Sequence, residues 1–297
     1  MSLWRSWMFV PGNQEKKLMK IEQTEADVVI CDLEDAVPIQ EKELARMMVK
    51  RVLEKKGIKK IFVRINDIST PYFMDDIQEI ASYNVDGIIL PKTGKKEHIH
   101  LVDHLLGTIE AKHGRKRGST LVVPLIESAA GLHYAFDIAR ASYRIHCLAF
   151  GSVDYTLDIH TGGTKEGNEI LFARSWLVNV SRAAGIESPI DGVYVDIQDK
   201  EGLKKETEFV KQLGFQGKMT LHPNQNGVVN AVFAPTEKEI EEAQRIVRAF
   251  EEAVQQGNGA IQVDGKMVDY PVAIRARKTI EQAEALKSSE GGSSVRI

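Results

Sequence analysis

Glu127 closes the run "PLIES" and Asp154 closes "FGSVD", each at the downstream end of a short apolar stretch. Two carboxylates brought together with no basic side chain adjacent in sequence repel one another unless a hard cation sits between them. Mg2+ commonly takes one or two carboxylates and leaves its remaining positions to water and substrate. The alternative for each acid is a cap or a solvated strand end. Arg64 stands between β-branched residues in "VRIN", where a guanidinium that cannot lose its proton must reach water or face an anion. Its planar fork can hold a carboxylate through two parallel hydrogen bonds, so a substrate carboxylate is the favoured partner. Lys92 in "ILPK" adds a second positive charge, read as the ion-pair partner of an acid of "DLED". Glu34 and Asp35 of that motif would then orient Arg64, Lys92 or a metal-bound water.

These residues act together only if the fold gathers them. Short runs rich in Val, Ile, Leu and Phe alternate with longer amphipathic segments, the pattern of repeated strand–helix units. Eight strands are predicted: "WRSWMFVPG", "DVVICDLED", "KKIFVRIN", "VDGIILPK", "STLVVPLIES", "RIHCLAFGSVD", "SPIDGVYVD" and "GKMTLHP". Helices are expected over 14–23, 40–55, 72–83, 95–106, 129–141, 166–184, 200–213 and 224–232. Continuous apolar runs such as "LVVPLI" suit a parallel sheet covered on both faces. Eight units within residues 1–233 match a (β/α)8 TIM barrel, with a doubly wound open sheet as the weaker alternative. In a barrel the polar residues Asp32, Glu34, Asp35, Arg64, Lys92, Glu127, Asp154, Asp196 and His222 would all open on one face. Residues 234–297 exceed the barrel and are read as an extension acting as a lid or an oligomerisation arm. Thr236 and Glu239 fit a capping box at its first helix, and Asp264-Gly265 fits a hairpin turn.

The composition excludes several functions. With 39 basic and 42 acidic residues the net charge is −3, which gives no general attraction to nucleic acid or anionic membranes. No run is long enough to span a bilayer and no signal core opens the chain, so a cytoplasmic location is expected. Cys31 and Cys147 lie in apolar runs and are read as small buried hydrophobes. His100 and His104 have helical spacing but no accompanying acidic ligand motif, and "TGGTKEGNE" has no strand leading into it at phosphate-loop spacing.

The motifs "RSWMFVPG", "DLEDAV", "VRIN", "ILPK", "PLIES", "FGSVDY", "DGVYVD" and "LHPNQ" occur in this order. In that order the chain resembles the citrate lyase β-subunit-like proteins, the CoA-ester lyases of the HpcH/HpaI aldolase superfamily, from about Arg5 to Pro271. The resemblance implies a Mg2+-dependent, reversible carbon–carbon cleavage of a 3-hydroxyacyl thioester, with coenzyme A as part of the substrate. It further implies that Glu127 and Asp154 bind the metal, with Glu127 also meeting substrate. Arg64 would hold the substrate carboxylate, and Asp269 in "GKMVDYP" would be the acid/base residue, often reaching into a neighbouring barrel. Arg5 and Lys16 could meet CoA phosphates. Homotrimers or hexamers are usual in the family, and citrate lyase subunits are possible partners. Met8 and "MTLHP" depart from the commoner family residues but remain apolar.

Malyl-CoA, citramalyl-CoA and citryl-CoA are the candidate substrates, giving a short acyl-CoA and a 2-oxo acid. Three alternatives stand beside this reading. They are a citrate lyase β subunit acting on a citryl-acyl-carrier protein, a class II pyruvate aldolase, and a non-catalytic barrel that binds acyl-CoA or dicarboxylates.

Overall fold

In the computed structural model, which describes residues 4–55 and 57–291, eight strands close into one parallel barrel in sequence order. They are β1 (Ser6–Pro11), β2 (Val28–Asp32), β3 (Lys60–Arg64), β4 (Gly87–Leu90), β5 (Leu121–Ile126), β6 (Ala149–Phe150), β7 (Ile190–Asp191) and β8 (Gly217–Thr220). The expected TIM barrel is thus observed, and β1 pairs with β8 to close it through Trp7 and Met219. Successive side chains of a strand point to opposite faces, so each strand divides its residues between the barrel interior and the layer beneath the helices. Trp7, Val28, Ile30, Phe62, Ile89, Val123, Leu125, Cys147, Ala149, Ile190 and Met219 pack together as the interior. Val29, Cys31, Ile61, Val63, Ile88, Leu90 and Val122 pack outward against the helices. Both cysteines are buried and unpaired.

This alternation decides what stands at the mouth. Continuing the inward set of β2, β3 and β5 by two residues reaches Asp32, Arg64 and Glu127. Their charges therefore project over the apolar plug rather than into the helix layer.

Several elements differ from expectation. β6 and β7 contribute only two residues each, and an isolated bridge between Val122 and Ile145 marks where β6 was expected to begin. The acid that ends β7 is Asp191, not Asp196. Asp191 is fully buried between Arg174 (2.9 Å) and Lys218 (2.5 Å), whereas Asp196 lies exposed in the following turn. The helix expected over 129–141 is two short helices, Ala129–His133 and Ala135–Ala139.

A second buried ion pair closes the opposite end. Arg144 is fully buried and grips Glu110 through two bonds of 2.7 and 2.8 Å, while the amides of Gly118 and Thr120 donate to the same carboxylate. These donors hold Glu110 at about 2, below its ordinary 4.5, despite burial. A depressed carboxylate contributes stability that is complete above the unfolded value and is lost as pH falls through the folded one. Glu110→Gln should therefore cost on the order of 3 kcal/mol at pH 7. In urea unfolding, its difference from wild type should shrink between pH 4.5 and 2. A difference independent of pH would remove this pair from the account.

By contact the chain divides into two compact units, Trp4–Asn230 and a unit beginning at Ala231. In the second, helices Glu237–Gln255 and Tyr270–Gly291 pack on each other and on the hairpin β9 (Ile261–Val263) and β10 (Lys266–Val268). Phe250, Val268 and Ala273 form its core. The capping box at Thr236 and Glu239 is present. Asp264 and Gly265 both have positive φ, 50° and 80°, as a type I′ turn requires. Among the described residues no helix is long and apolar enough to cross a membrane.

Candidate active site at the barrel mouth

Asp32 and Arg64 are register partners across β2 and β3, so their side chains leave the sheet on the same side. The Arg64 Nε and Nη2 donate to the two Asp32 oxygens, both at 2.7 Å. Nη1 lies 3.0 Å from Glu34 and 3.5 Å from Asp35, and the guanidinium rests 4.8 Å from the centre of the Phe9 ring. Asp32, Glu34 and Arg64 are buried and Asp35 is exposed. The two-bond grip that sequence assigned to a substrate carboxylate is made here by Asp32. What Asp32 leaves of the guanidinium is its outer edge, Nη1 and the second hydrogen of Nη2, with Nη1 ion-paired to Glu34 and Asp35.

The loop after β2 is held from below. Asp32 accepts from the amides of Glu34 (3.0 Å) and Ala36 (3.2 Å). The Lys42 ammonium donates to the carbonyls of Leu33 and Glu34, both at 2.7 Å. Asn66 donates to Leu33 and to the buried Asp76, which is paired with Arg46 at 2.8 Å.

Glu127 follows β5 and is 4% exposed. One oxygen accepts from the Lys92 amide at 2.6 Å. The Lys92 ammonium binds Glu34 at 2.8 Å, so Glu34 stands between Lys92 and Arg64. Burial, aided by the negative charges of Glu34 and Asp154, pushes the Glu127 carboxyl up to about 8. Asp154 is partly buried in the first turn of the helix Ser152–Asp158, rather than at the end of β6 itself. The two segments are tied together four residues further on, where Asp158 accepts from the Ala129 amide at 2.7 Å. Ser128 caps the helix Ala129–His133 by accepting from the Gly131 amide at 3.0 Å.

Gly151 makes room for this arrangement. A Cβ there would stand 2.5 Å from the Glu127 Cβ and 2.6 Å from its Oε2. Gly151→Ala should leave the barrel folded but displace Glu127. Turnover is expected to drop by at least about 10²-fold, from misplacement of the carboxylate by an ångström or so. Activity within a factor of two of wild type would show that Glu127 has slack.

The donor set suits a hard cation. Five carboxylates (Asp32, Glu34, Asp35, Glu127 and Asp154) meet two cationic side chains (Arg64 and Lys92), and the acid that is buried without an ion-pair partner is Glu127. Carboxylate oxygens without histidine or thiolate favour Mg2+ or Mn2+ over zinc. Among the described residues no group of three or more His, Cys, Asp or Glu side chains is arranged to hold a metal ion by itself. Mg2+ needs none when water and substrate fill its other positions.

Other expected residues fall elsewhere. Arg5 precedes β1, at the strands' N-terminal end, and its guanidinium is committed to Asp27 at 2.8 and 2.9 Å. It is a lock on β2 at the face opposite the mouth, which corrects the expectation that it meets CoA. Lys16 is exposed on the helix Glu15–Leu18 that follows β1, on the mouth side. Asp269 belongs to the second unit, where its side chain accepts from the Val272 amide at 3.3 Å and caps the last helix. His222 is in the turn after β8, its Nδ1 accepting from the Asn224 amide at 3.2 Å. Asp32, Lys42, Asn66 and Gly151 received no role from sequence. The inward parity of β2 could have given one to Asp32, since it places that acid beside Arg64.

The profile of the HpcH/HpaI aldolase/citrate lyase family matches residues 5–223, the whole of the barrel strands and the mouth just described. The chain belongs to that family. A second profile, a C–C bond lyase of the TIM-barrel fold, matches residues 173–286. The chain is 41% identical to the citrate lyase subunit beta of Leuconostoc mesenteroides subsp. cremoris over 97% of each chain. It is 34% identical to the L-malyl-CoA/beta-methylmalyl-CoA lyase of Rhodobacter capsulatus over 95% of each. Its fold matches the crystal structure of CitE from Mycobacterium tuberculosis in complex with magnesium, acetoacetate and coenzyme A. That match has a TM-score of 0.78 and 26% identity, over 94% of this chain and 98% of that one. As a member of the HpcH/HpaI aldolase/citrate lyase family, the chain is a carbon–carbon lyase.

Proposed function

We propose that the chain cleaves, and in reverse forms, a 3-hydroxyacyl thioester of coenzyme A, giving a short acyl-CoA and a 2-oxo acid. The observation that carries this reading is the buried Glu127 carboxyl, next to Asp154 and with Arg64 and Lys92 on neighbouring strands of the same mouth. Glu127 and Asp154 would hold Mg2+, which supplies a positive charge for the oxygen that becomes the carbonyl of the 2-oxo acid. Arg64, fixed by Asp32, presents its outer edge to the substrate carboxylate. Glu34 and Lys92 keep that edge aimed. As the C–C bond breaks, the hydroxyl proton passes to solvent water and the electron pair of the O–H bond forms the C=O. The bond's own electrons pass to the thioester α-carbon, which must take up a proton. We assign that proton to Asp269, in line with the family resemblance. Lys16, exposed on the helix that follows β1, would meet a CoA phosphate.

A second reading is favoured by one observation: identity is higher to a citrate lyase β subunit (41%) than to a malyl-CoA lyase (34%). In it the acyl group is citryl, carried on a protein and cleaved within a complex. Purified chain with Mg2+ should cleave malyl-CoA, citramalyl-CoA or citryl-CoA, followed as 2-oxo acid release, and lose the activity on chelation. Cleavage that appears only with citryl on a carrier protein would support the second reading. No cleavage of any of these thioesters would overturn both. The subunit count, for which a trimer is the family expectation, is read by sedimentation.

A further inference from the structure

We infer that Lys92 is a positioning residue whose left-handed backbone joins the candidate metal ligand to the arginine-holding acids in a single unit. The inference rests on the reading of Glu127 as a cation ligand. Lys92 has φ +49°, and among the described residues the other non-glycine residues with positive φ are His160 and Asp264. An L-residue rarely adopts this region, and such departures persist where surrounding structure enforces them. Buried Thr93 does so here, its hydroxyl donating to the Leu90 carbonyl at 2.8 Å and its amide to Leu125 at 3.3 Å.

The conformation connects two contacts made by one residue. The Lys92 amide is anchored on Glu127 at 2.6 Å, and its ammonium on Glu34 at 2.8 Å. Because φ is the rotation about N–Cα, and Thr93 fixes the chain beyond Cα, a change in φ either swings the amide off Glu127 or redirects the side chain. Returning φ to the usual negative value would turn Cβ by roughly 110° and carry the ammonium away from Glu34. The positive φ is thus what lets a single residue reach both acids. From Glu34 the chain of contacts runs to Arg64 at 3.0 Å and then to Asp32 at 2.7 Å. Glycine would satisfy the backbone but not the acid. Lysine satisfies both at the cost of strain.

Two classes of substitution separate the backbone from the ammonium. Lys92→Gly keeps the left-handed backbone, and hence the clamp on Glu127, while deleting the ammonium. Lys92→Val deletes the ammonium too, but its β-branched side chain opposes positive φ. The metal-free protein is titrated with Mn2+, and free Mn2+ is read by electron paramagnetic resonance, with no turnover involved. Wild type and Lys92→Gly are expected to agree within about twofold, and Lys92→Val to bind about tenfold more weakly. Equal Mn2+ affinity in the Gly and Val variants overturns the backbone half of the inference. If circular dichroism shows that Lys92→Val does not fold, Lys92→Ala takes its place. Ala is expected to bind several-fold more weakly than Gly, and equality again overturns it. The ammonium half predicts about a tenfold rise in the substrate KM of Lys92→Gly, with kcat changing less, as Glu34 loses its hold on Arg64. An unchanged KM overturns that half. Glu127→Gln serves as the control for the underlying reading. If it binds Mn2+ as wild type does, the metal assignment has failed, whatever the Lys92 variants do.

Discussion

Glu127→Gln is expected to be inactive and, without metal at pH 7, more stable than wild type. Burial raises the Glu127 carboxyl from its ordinary 4.5 to about 8. The sign follows from proton counting. Between these values the folded chain holds a proton that the unfolded chain has released, so folding stability falls as pH rises through this window. A neutral, isosteric glutamine escapes that cost and can still accept from the Lys92 amide. The gain should be on the order of 3 kcal/mol at pH 7, vanish near pH 4.5 and level off above pH 8. Saturating Mg2+ should reverse the order, because it stabilises only a protein that binds it. Turnover should fall by at least about 10³-fold, the scale of several kcal/mol of lost charge stabilisation. Urea unfolding at several pH values, with chelator and with Mg2+, checks all of this. A variant less stable than wild type in chelator would mean that Glu127 is a structural carboxylate.

Arg64→Ala is expected to lose both activity and stability, and the two losses can be separated. Removing the guanidinium leaves Asp32, 1% exposed, as a buried charge without its partner, and Glu34 with only Lys92. Breaking a buried pair in this way costs about 3–5 kcal/mol. Replacing both partners with uncharged residues of similar shape should recover most of that. The double variant Asp32→Asn with Arg64→Met is therefore expected to unfold within about 1 kcal/mol of wild type and yet remain at least about 10²-fold down in kcat/KM. Thermal unfolding and steady-state kinetics on the same preparations decide the matter. A stable double variant that keeps its activity would assign Arg64 to the fold alone.

Much of the candidate site was legible along the chain. Glu127, Asp154, Arg64 and Lys92 announce themselves as charged residues at the ends of apolar runs. The eight runs indicate the barrel, since a parallel closed sheet is the arrangement that buries so many two-sided apolar strands. The capping box at Thr236 and the Asp264-Gly265 turn needed nothing beyond their own few residues. The strand ends were less legible. Asp196 was expected at the end of β7, but the strand closes at Asp191, whose burial depends on Arg174 and Lys218 from distant segments.

What the sequence by itself determined is the architecture and the roster of charges, because apolar periodicity and local turn chemistry are written within a few residues. The tertiary structure alone decided how those charges are spent. Asp32 takes the fork of Arg64 because the register of β2 on β3 sets them side by side, 32 positions apart in sequence. Glu127 is poised by the amide of Lys92, which requires a positive φ that lysine does not announce. Gly151 is called for only because Glu127 fills the space that a side chain there would take. Arg5, equally basic in sequence, goes to the opposite end of the barrel and to Asp27. Pairing among charges depends on distances between segments that the chain brings together only on folding, whereas periodicity depends on neighbours it already has.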